Sequence, residues 1–566
     1  MSIINTIKNH TLNPVGPKLS WSGLFLIFVV FLAGIYLVLF RMMHADLSSI
    51  PGDLGDARLN NYFLEHGYKW LAGQVKSFWN APFFYPTVRA MSFSDNHLGT
   101  LPIYALFRFF SFDRETSYQL WFFAIFALNY FSSAWVLRRF SINALGTAVG
   151  AFIFTFSLPV IAQIGHSQLL PRFMVPFAFY FSWEYLERPR IRTLALACLA
   201  IVVQFYCTMY IGFSLLLGLF SLLIAVVLLR ENRLAMLREI CSGSWQTIML
   251  GMAIILLAII SLLPLIIPYY KTSLEYGVRA WEEIARVLPR INSYFYPSNG
   301  SRLWAWLRPI GAKLPVSWEH EIFVGAIPMI AFIVMPALYY RNRIEPLAKK
   351  GMIAFITTAL LVVLTLYFRD PPTDTLYRLV LYIPGMSSIR SVTRIILLML
   401  FPLSIIVGVV FTMLIENRFV LCRPFTKHVF SSLILFAVIL DQNVKSSSYD
   451  RYSKTGSQNR SRTVEKLVQN KFSSAKVFAY MPDNTGDAAH AVHIDAMLAA
   501  QNLNISTVNG YSGIFPCGYY AFYKHFDPIS LMAWKEISIR RYAQFGAQTG
   551  LFENIVVVGR DHDNTR

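Results

Sequence analysis

Acidic residues that could accept a proton follow the first long apolar run of the chain. Asp53 and Asp56 stand in the string Gly-Asp53-Leu-Gly-Asp56-Ala-Arg58, shortly after an uncharged stretch at 21–40. A carboxylate held beside a membrane surface could act as a general base. Each acid could equally cap the N-terminus of a helix in a polar loop. The spacing does not decide between these roles, nor between the two residues.

Histidines and further acids stand in later polar segments. The string Ser-Asp95-Asn-His97 lies among aromatic residues. Such residues favour the headgroup zone of a membrane, so we expect Asp95 and His97 to face the outer surface. His166 follows in a short polar segment, and ionisable groups at the mouth of an apolar helix are costly unless they are paired. The candidate substrate-binding residues are Arg58, Asp95, His97, His166, Glu319 and His320.

Arginines that could bind phosphate precede a late apolar run, in Pro384-Gly-Met-Ser-Ser-Ile-Arg390-Ser-Val-Thr-Arg394. The planar guanidinium group, with several donors, suits phosphate oxygens. Arginines that enter a membrane helix from outside oppose the usual charge bias of membrane proteins, and a bound anion would explain them. The alternative is that both side chains snorkel to lipid phosphates.

Long apolar stretches must position these residues. Of the 566 residues, 55% are hydrophobic and 14% are charged, against roughly 25% charged in ordinary soluble proteins. This composition excludes a soluble globular enzyme, a disordered protein and a disulfide scaffold. The fold class is an α-helical polytopic membrane protein. Eleven spans are predicted, at 21–40, 118–137, 143–161, 171–187, 193–210, 211–229, 246–268, 321–340, 350–368, 393–415 and 427–441.

Charged residues between the spans predict the orientation. Basic residues concentrate in every second loop, which is typical of the cytoplasmic side. They are Arg138, Arg139, Arg188, Arg190, Arg192, Arg230, Arg233, Arg238, Arg341, Arg343, Lys349, Lys350, Arg418, Arg423 and Lys427. The N-terminus is therefore predicted to be cytoplasmic in a bacterial inner membrane. We ascribe the net charge of +19 to topology and expect no nucleic-acid partner.

The domain organisation follows from the same pattern. Residues 1–441 form the predicted membrane domain, whose outside segments are 41–117, 161–172, 269–320 and 369–392. Residues 442–462 are rich in Ser, Asn, Lys and Arg and are predicted to be a linker. Residues 463–566 are predicted to be a small α/β domain in the periplasm. The five cysteines lack metal-ligand spacing, so neither a disulfide framework nor a zinc site is expected.

The order of these features resembles the GT-C superfamily of integral-membrane glycosyltransferases, which use sugars linked to a lipid phosphate. An acidic motif follows the first helix, amphipathic and re-entrant segments precede the second span, and a multi-span body ends in an external domain. The strings Phe84-Tyr-Pro86 and Asn509-Gly-Tyr-Ser-Gly513 are also similar to YfhO-like bacterial membrane proteins. The resemblance in the order of segments covers the whole chain, whereas the resemblance in amino-acid sequence is confined to a few motifs.

This resemblance implies an inverting transfer from a polyprenyl-phosphate-linked sugar to an envelope lipid, polysaccharide or protein. In the superfamily the acid of the first outside loop is the base or orients the acceptor, a role that falls here on Asp56, with Asp53 as its rival. Arg390 and Arg394 would hold the donor phosphate. Arg172 or Lys271 could assist them. A divalent metal stays open as a cofactor, with oxygen and imidazole ligands to be drawn from Asp53, Asp56, Asp95, His97 and His166.

Two other functions stay open at this stage. A lipid or polysaccharide transporter or flippase would need polar residues at mid-membrane, whereas these spans are nearly free of charge away from their ends. A non-catalytic envelope-assembly protein would use its tail as a binding module, and His490, His493 and Asp495 stand close together there. Loss of function on Asp56→Asn would favour the enzyme, and loss only on deletion of the tail would favour the assembly protein.

Overall fold

The computed structural model describes residues 20–230, 244–368, 375–416, 424–471, 476–483, 486–543 and 555–559. Four arginines that contribute to the predicted basic loops lie outside these ranges, namely Arg233, Arg238, Arg418 and Arg423. Part of the predicted outside segment 369–392 and parts of the predicted domain 463–566 also lie outside them.

Helices make up most of the described chain. In chain order, the α-helices of six or more residues are α1 (Trp21–Ile35), α2 (Asp56–Leu71), α3 (Leu101–Phe109), α4 (Arg114–Arg139), α5 (Ala144–Phe156), α6 (Met174–Glu187), α7 (Ile191–Cys207), α8 (Met209–Leu228), α9 (Trp245–Tyr276), α10 (Trp281–Arg286), α11 (Ala326–Arg341), α12 (Pro346–Thr365), α13 (Ile396–Glu416), α14 (Pro424–Asp441), α15 (Lys454–Lys471), α16 (Ala489–Leu503), α17 (Tyr520–His525) and α18 (Pro528–Ala543). The strands are β1 (Ser49–Pro51), β2 (Arg451–Ser453), β3 (Val477–Tyr480), β4 (Ser506–Thr507) and β5 (Ile555–Val558).

A helix lies at each of the eleven predicted spans. The division predicted at 210/211 falls at Thr208, between the end of α7 and the start of α8. Within the described residues, seven helical stretches are long and apolar enough to cross a membrane, and the count of eleven stays a prediction. The seven are Trp21–Met43, Arg114–Arg139, Ala144–Ala162, Met209–Leu228, Trp245–Tyr276, Pro346–Thr365 and Val392–Glu416.

Polar side chains fix where several helices begin. Ser20, Asp113 and Asn143 each accept a hydrogen bond from the backbone N–H three residues further on, at 3.2, 2.9 and 2.9 Å. The first backbone N–H groups of a helix have no partner within the helix, and an N-cap oxygen satisfies one of them. These residues therefore set the first turns of α1, α4 and α5.

The centre of the bundle is built on α5 and α13, which are buried along nearly their whole length. Glycine allows their backbones to approach closely. A Cβ at Gly146 would lie 2.4 Å from the carbonyl oxygen of Gly408, and one at Gly150 would lie 2.7 Å from that of Ser404. Small residues allow such close packing between membrane helices.

The outer face of α9 is apolar and exposed. Leu256, Leu257, Ile259 and Ile260 are among its large side chains that no described part of the chain covers. A contiguous apolar surface of this kind is unusual on a soluble monomer and marks a membrane interaction. Together with the seven apolar helices, it shows that the chain is a membrane protein.

Two small sheets join distant parts of the chain. β1, which follows the first helix, pairs antiparallel with β2, so that Ile50 lies opposite Tyr452. The second sheet is parallel, with strand order β4-β3-β5, and α15 and α16 pack together beside it. The segment predicted as the linker 442–462 contains β2 and the first half of α15. Its helix was not evident because a polar composition hides the small buried residues Ser457 and Ser461 that face the core.

Candidate active site

The start of α2 places Asp53 and Asp56 in different roles. Asp53 accepts hydrogen bonds from the backbone N–H groups of Gly55 and Ala57, at 3.1 and 3.3 Å. It therefore satisfies the free N–H groups at the helix end. Asp56 is the first residue of the helix, and its side chain points to other parts of the chain.

The carboxylate of Asp56 joins three segments that are far apart in sequence. His166 Nε2 lies 3.1 Å from Asp56 Oδ2, and the hydroxyl of Tyr511 donates to Asp56 Oδ1 at 2.9 Å. Burial alone would raise the pKa of Asp56, but the hydrogen bonds and charge of His166, together with Tyr511, outweigh burial. They hold the pKa of Asp56 well below its usual range.

The loop that carries His166 is fixed on both sides of the histidine. Before it, Gly165 lies against Gly52, where an added Cβ would come 3.0 Å from the Gly165 Cα atom. After it, the hydroxyl of Ser167 is 2.6 Å from that of Tyr118. These contacts hold the imidazole of His166 against the first turn of α2.

A second charged group consists of Glu319, Arg394 and Arg390. The guanidinium of Arg394 donates two hydrogen bonds to the carboxylate of Glu319, at 2.7 and 3.0 Å, and both side chains are buried. Arg390 Nη2 lies 3.8 Å from the same carboxylate, and about half of its side chain is exposed. Arg394 is therefore occupied by Glu319, whereas Arg390 has donors left for a ligand.

Charge interactions link the two groups. Burial would raise the pKa of Glu319, but the charges of Arg394, His166 and Arg390 and the bonds from Arg394 lower it to about 2. The charge of Arg394 also acts on Asp56 and lowers the pKa of that carboxyl. The sequence-predicted residues that the structure brings together are thus Asp56, His166, Glu319, Arg390 and Arg394.

Residues that the sequence analysis did not assign to the catalytic site complete its rim. Tyr210 donates its hydroxyl proton to the carbonyl of Ser391 at 2.5 Å, and the side chain of Arg279 bonds to the carbonyl of Gly513. The imidazole of His490 lies 5.8 Å from the ring of Tyr511. These residues reach the site through contacts between distant segments of the chain. The one sequence feature noted above that could have pointed to them is the string Tyr511–Gly513.

Three other predicted substrate-binding residues are used in structural contacts. Asp95 caps α8, because its carboxylate accepts from the Thr208 hydroxyl at 2.5 Å and from the Met209 N–H at 2.7 Å. His97 does not face the outer surface as expected. It is buried, its Nε2 is 2.8 Å from Asn60 Oδ1, and burial lowers its pKa to about 3. Arg58 is buried and donates to Asp495 of α16 at 2.7 Å.

The remaining predicted residues lie in other surroundings. His320 is buried between the Ser293 hydroxyl, at 2.8 Å, and the Arg286 carbonyl, at 3.1 Å. Arg172 is buried and donates to the carbonyl of Leu397 at 3.0 Å, so it braces α13. Lys271 is exposed on α9, where it lines a separate cavity of about 330 Å³ with Arg89.

The residues proposed as metal ligands do not fit a metal. Asp56 and His166 are close together, but Asp95 caps a helix and His97 is turned to Asn60. Across the described ranges, no three His, Cys, Asp or Glu side chains are grouped so that they could hold a metal ion.

The chain has a likeness among solved structures. No protein-family model and no curated protein matches the chain. Among solved structures, the chain is similar to the archaeal oligosaccharyltransferase AglB from Archaeoglobus fulgidus in complex with an inhibitory peptide and a dolichol-phosphate. The TM-score is 0.45 and the identity is 12%; the match covers 87% of this chain and 64% of that one. At this level the likeness decides neither fold nor function.

Proposed function

We propose that this protein is an inverting membrane glycosyltransferase. It moves a sugar from a polyprenyl-phosphate donor to an envelope lipid, polysaccharide or protein acceptor. The observation that supports the proposal is that the Asp56–His166 pair and the group of Glu319, Arg394 and Arg390 act on each other through their charges. Displacement of a phosphate by an acceptor needs a proton acceptor on one side and a cation on the other. This site supplies both.

Proton removal is assigned to the Asp56–His166 pair. The two side chains are within hydrogen-bond reach, and both are partly exposed, so an acceptor can approach them. A proton acceptor so placed contributes roughly 10²–10⁴-fold to the rate. Asp56 is therefore required for transfer, either as the base itself or through His166.

The departing phosphate is assigned to Arg390. Its guanidinium is half exposed, and its contact with Glu319 is the longer of the two arginine contacts to that acid. Arg394 cannot turn to a ligand without leaving Glu319 alone and buried, a costly state. Arg394 and Glu319 therefore hold the neighbouring backbone, and Arg279 adds positive charge at the rim.

The site is assigned to the periplasmic side of a bacterial inner membrane. The alternating basic loops support this orientation. Donor and acceptor would both meet at that surface, and the C-terminal segment, which supplies Tyr511, would lie on the same side.

The test compares envelope glycans and glycolipids from a null strain complemented with the wild-type chain or with Asp56→Asn, at matched protein levels. We expect one sugar to be present with the wild-type chain and absent with the variant, while the variant purifies as a folded protein. Asp53→Asn is the matched control, and we expect it to reduce stability but to retain transfer. Identical glycans in all strains would refute the proposal that the protein is a glycosyltransferase.

A further inference from the structure

We infer that the atom that takes the acceptor proton is His166 Nδ1, and that Asp56 is a positioning residue that holds the imidazole. This inference rests on the proposed function and assigns the base within its site. It departs from the expectation of the sequence analysis, in which the first-loop carboxylate itself takes the proton.

The first support is that both oxygens of Asp56 are already used. Oδ2 faces His166 Nε2 at 3.1 Å, and Oδ1 accepts from the Tyr511 hydroxyl at 2.9 Å. A carboxylate that accepts two hydrogen bonds is stabilised as the anion and becomes a weaker proton acceptor. An acceptor hydroxyl would have to displace Tyr511 or His166 before it could give a proton to Asp56.

The second support is the free side of the imidazole. Because the carboxylate only accepts, Nε2 carries the hydrogen of this contact in both the charged and the neutral ring, and deprotonation leaves the lone pair on Nδ1. Nδ1 makes no hydrogen bond to any residue that the structure describes, and it is not among the buried polar atoms without a partner. The side chain is one-quarter exposed. Nδ1 is therefore open to an incoming hydroxyl.

The third support is that the surrounding charges suit an imidazole that gains a proton. The imidazole interacts with the carboxylates of Asp56 and Glu319. Tyr511 contacts the first of these carboxylates, and Arg394 and Arg390 contact the second. Arg394 is paired with Glu319, which leaves the Asp56 carboxylate to stabilise the imidazolium. In hydrolase triads, a carboxylate bonded to one ring nitrogen orients a histidine that takes a proton at its other nitrogen.

The transfer step exchanges one bond at the anomeric carbon for another and moves one proton. The acceptor oxygen forms a bond to the anomeric carbon while the bond from that carbon to the phosphate oxygen breaks. The phosphate leaves with that electron pair and faces Arg390. The acceptor proton moves to His166 Nδ1, and the imidazolium then returns it to water.

The experiment is chemical rescue of the purified full chain in detergent. The donor probe is a short-chain prenyl phosphate carrying the sugar that the envelope comparison identifies. We expect His166→Ala to lower transfer by roughly 10²–10⁴-fold and added imidazole to restore at least one-tenth of it. Asp56→Ala should not respond to imidazole. His428→Ala, an exposed histidine on α14, is the control and should transfer normally.

Each outcome decides a different point. Failure of imidazole to restore His166→Ala, while that variant still binds donor, would overturn the inference and return the base to Asp56. If His166→Ala does not bind donor, the transfer rate of His166→Gln is measured against pH instead. The inference is supported if the decrease in rate at acidic pH seen with the wild-type chain is absent from this variant, and it is overturned if the two profiles have the same shape. Normal transfer by both Asp56→Asn and His166→Gln would refute the proposed function itself.

Discussion

Neighbouring arginines of one short motif have different surroundings. Arg394 is buried in a two-bond contact with Glu319, whereas Arg390, four residues earlier, is half exposed. Sequence spacing makes them equivalent candidates for phosphate binding. Their burial separates an arginine that stabilises the protein from one that can bind a ligand, because only a partly exposed cation can exchange water for phosphate.

Replacement of Arg390 by alanine should weaken donor binding. A hydrogen bond to a charged group contributes about 1.5–3 kcal/mol, so we expect the donor dissociation constant to rise roughly 10–100-fold, with unchanged expression. The measurement is binding of the prenyl-phosphate sugar to purified protein. Lys313→Ala, at an exposed position of the outside segment 269–320, is the control. Equal affinity in Arg390→Ala and wild type would leave Arg390 as a snorkelling side chain.

Acid should weaken the protein through Glu319. The pKa of Glu319 in the folded chain is about 2, below its ordinary value of 4.5. The stabilisation by its pair is therefore fully present above pH 4.5 and is lost as the pH falls towards 2. We expect the melting temperature in detergent to fall as the pH is lowered from 4.5 towards about 2, which is the interval between the two pKa values. Glu319→Gln should have a lower melting temperature than the wild-type chain at neutral pH, and its melting temperature should depend less on pH. If the melting temperatures of the two proteins changed with pH in parallel, Glu319 would not be the group responsible.

At the scale of elements, the apolar spans were predictable and the polar connections between them were not. Runs of uncharged residues mark helices because a bilayer requires them, and each predicted span contains a helix. Asp95 is different, since its role depends on the start of α8, more than a hundred residues away. No local pattern distinguishes such a cap from a substrate-binding acid.

Glycine at position 52 should be needed to bring the first two outside loops together. Its φ is +97°, and a Cβ there would lie 2.5 Å from the Cβ of Ala57. We expect Gly52→Ala to displace the start of α2 from His166 and to abolish most transfer. Gly73→Ala has a φ of +71° and open space around it, so it should cost about 1 kcal/mol of stability and leave transfer intact. Transfer rate and melting temperature measure both. If the two variants had the same transfer rate and the same melting temperature, the effect at Gly52 would come from backbone strain and not from the contact between the two loops.

At the scale of the whole molecule, the tail returns to the first loop. Arg58 binds Asp495, Tyr511 binds Asp56, and β1 pairs with β2. The sequence predicted strands and helices near the C-terminus but placed them in a separate domain behind a linker. Contacts over such distances depend on the complete fold, so composition could not reveal that the tail supplies part of the site.

The orientation can be tested with a natural thiol. Cys517 is exposed in the C-terminal segment, and Cys207 is buried. With Cys241 and Cys422 replaced by serine, we expect a membrane-impermeant maleimide to label Cys517 in intact spheroplasts. Arg343→Cys, in a Cys517→Ser background, is the matched control for the predicted cytoplasmic side and should label only after permeabilisation. The reverse pattern would invert the topology.

The contact between Tyr511 and Asp56 also determines when the surroundings of Asp56 are complete during synthesis. The two residues are 455 positions apart. Every predicted span is therefore synthesised before Tyr511, which is the later of the two partners of Asp56 in the sequence. A nascent or truncated chain would hold Asp56 and His166 at the membrane surface without Tyr511. The arrangement around Asp56 is therefore completed only once the C-terminal segment has been synthesised.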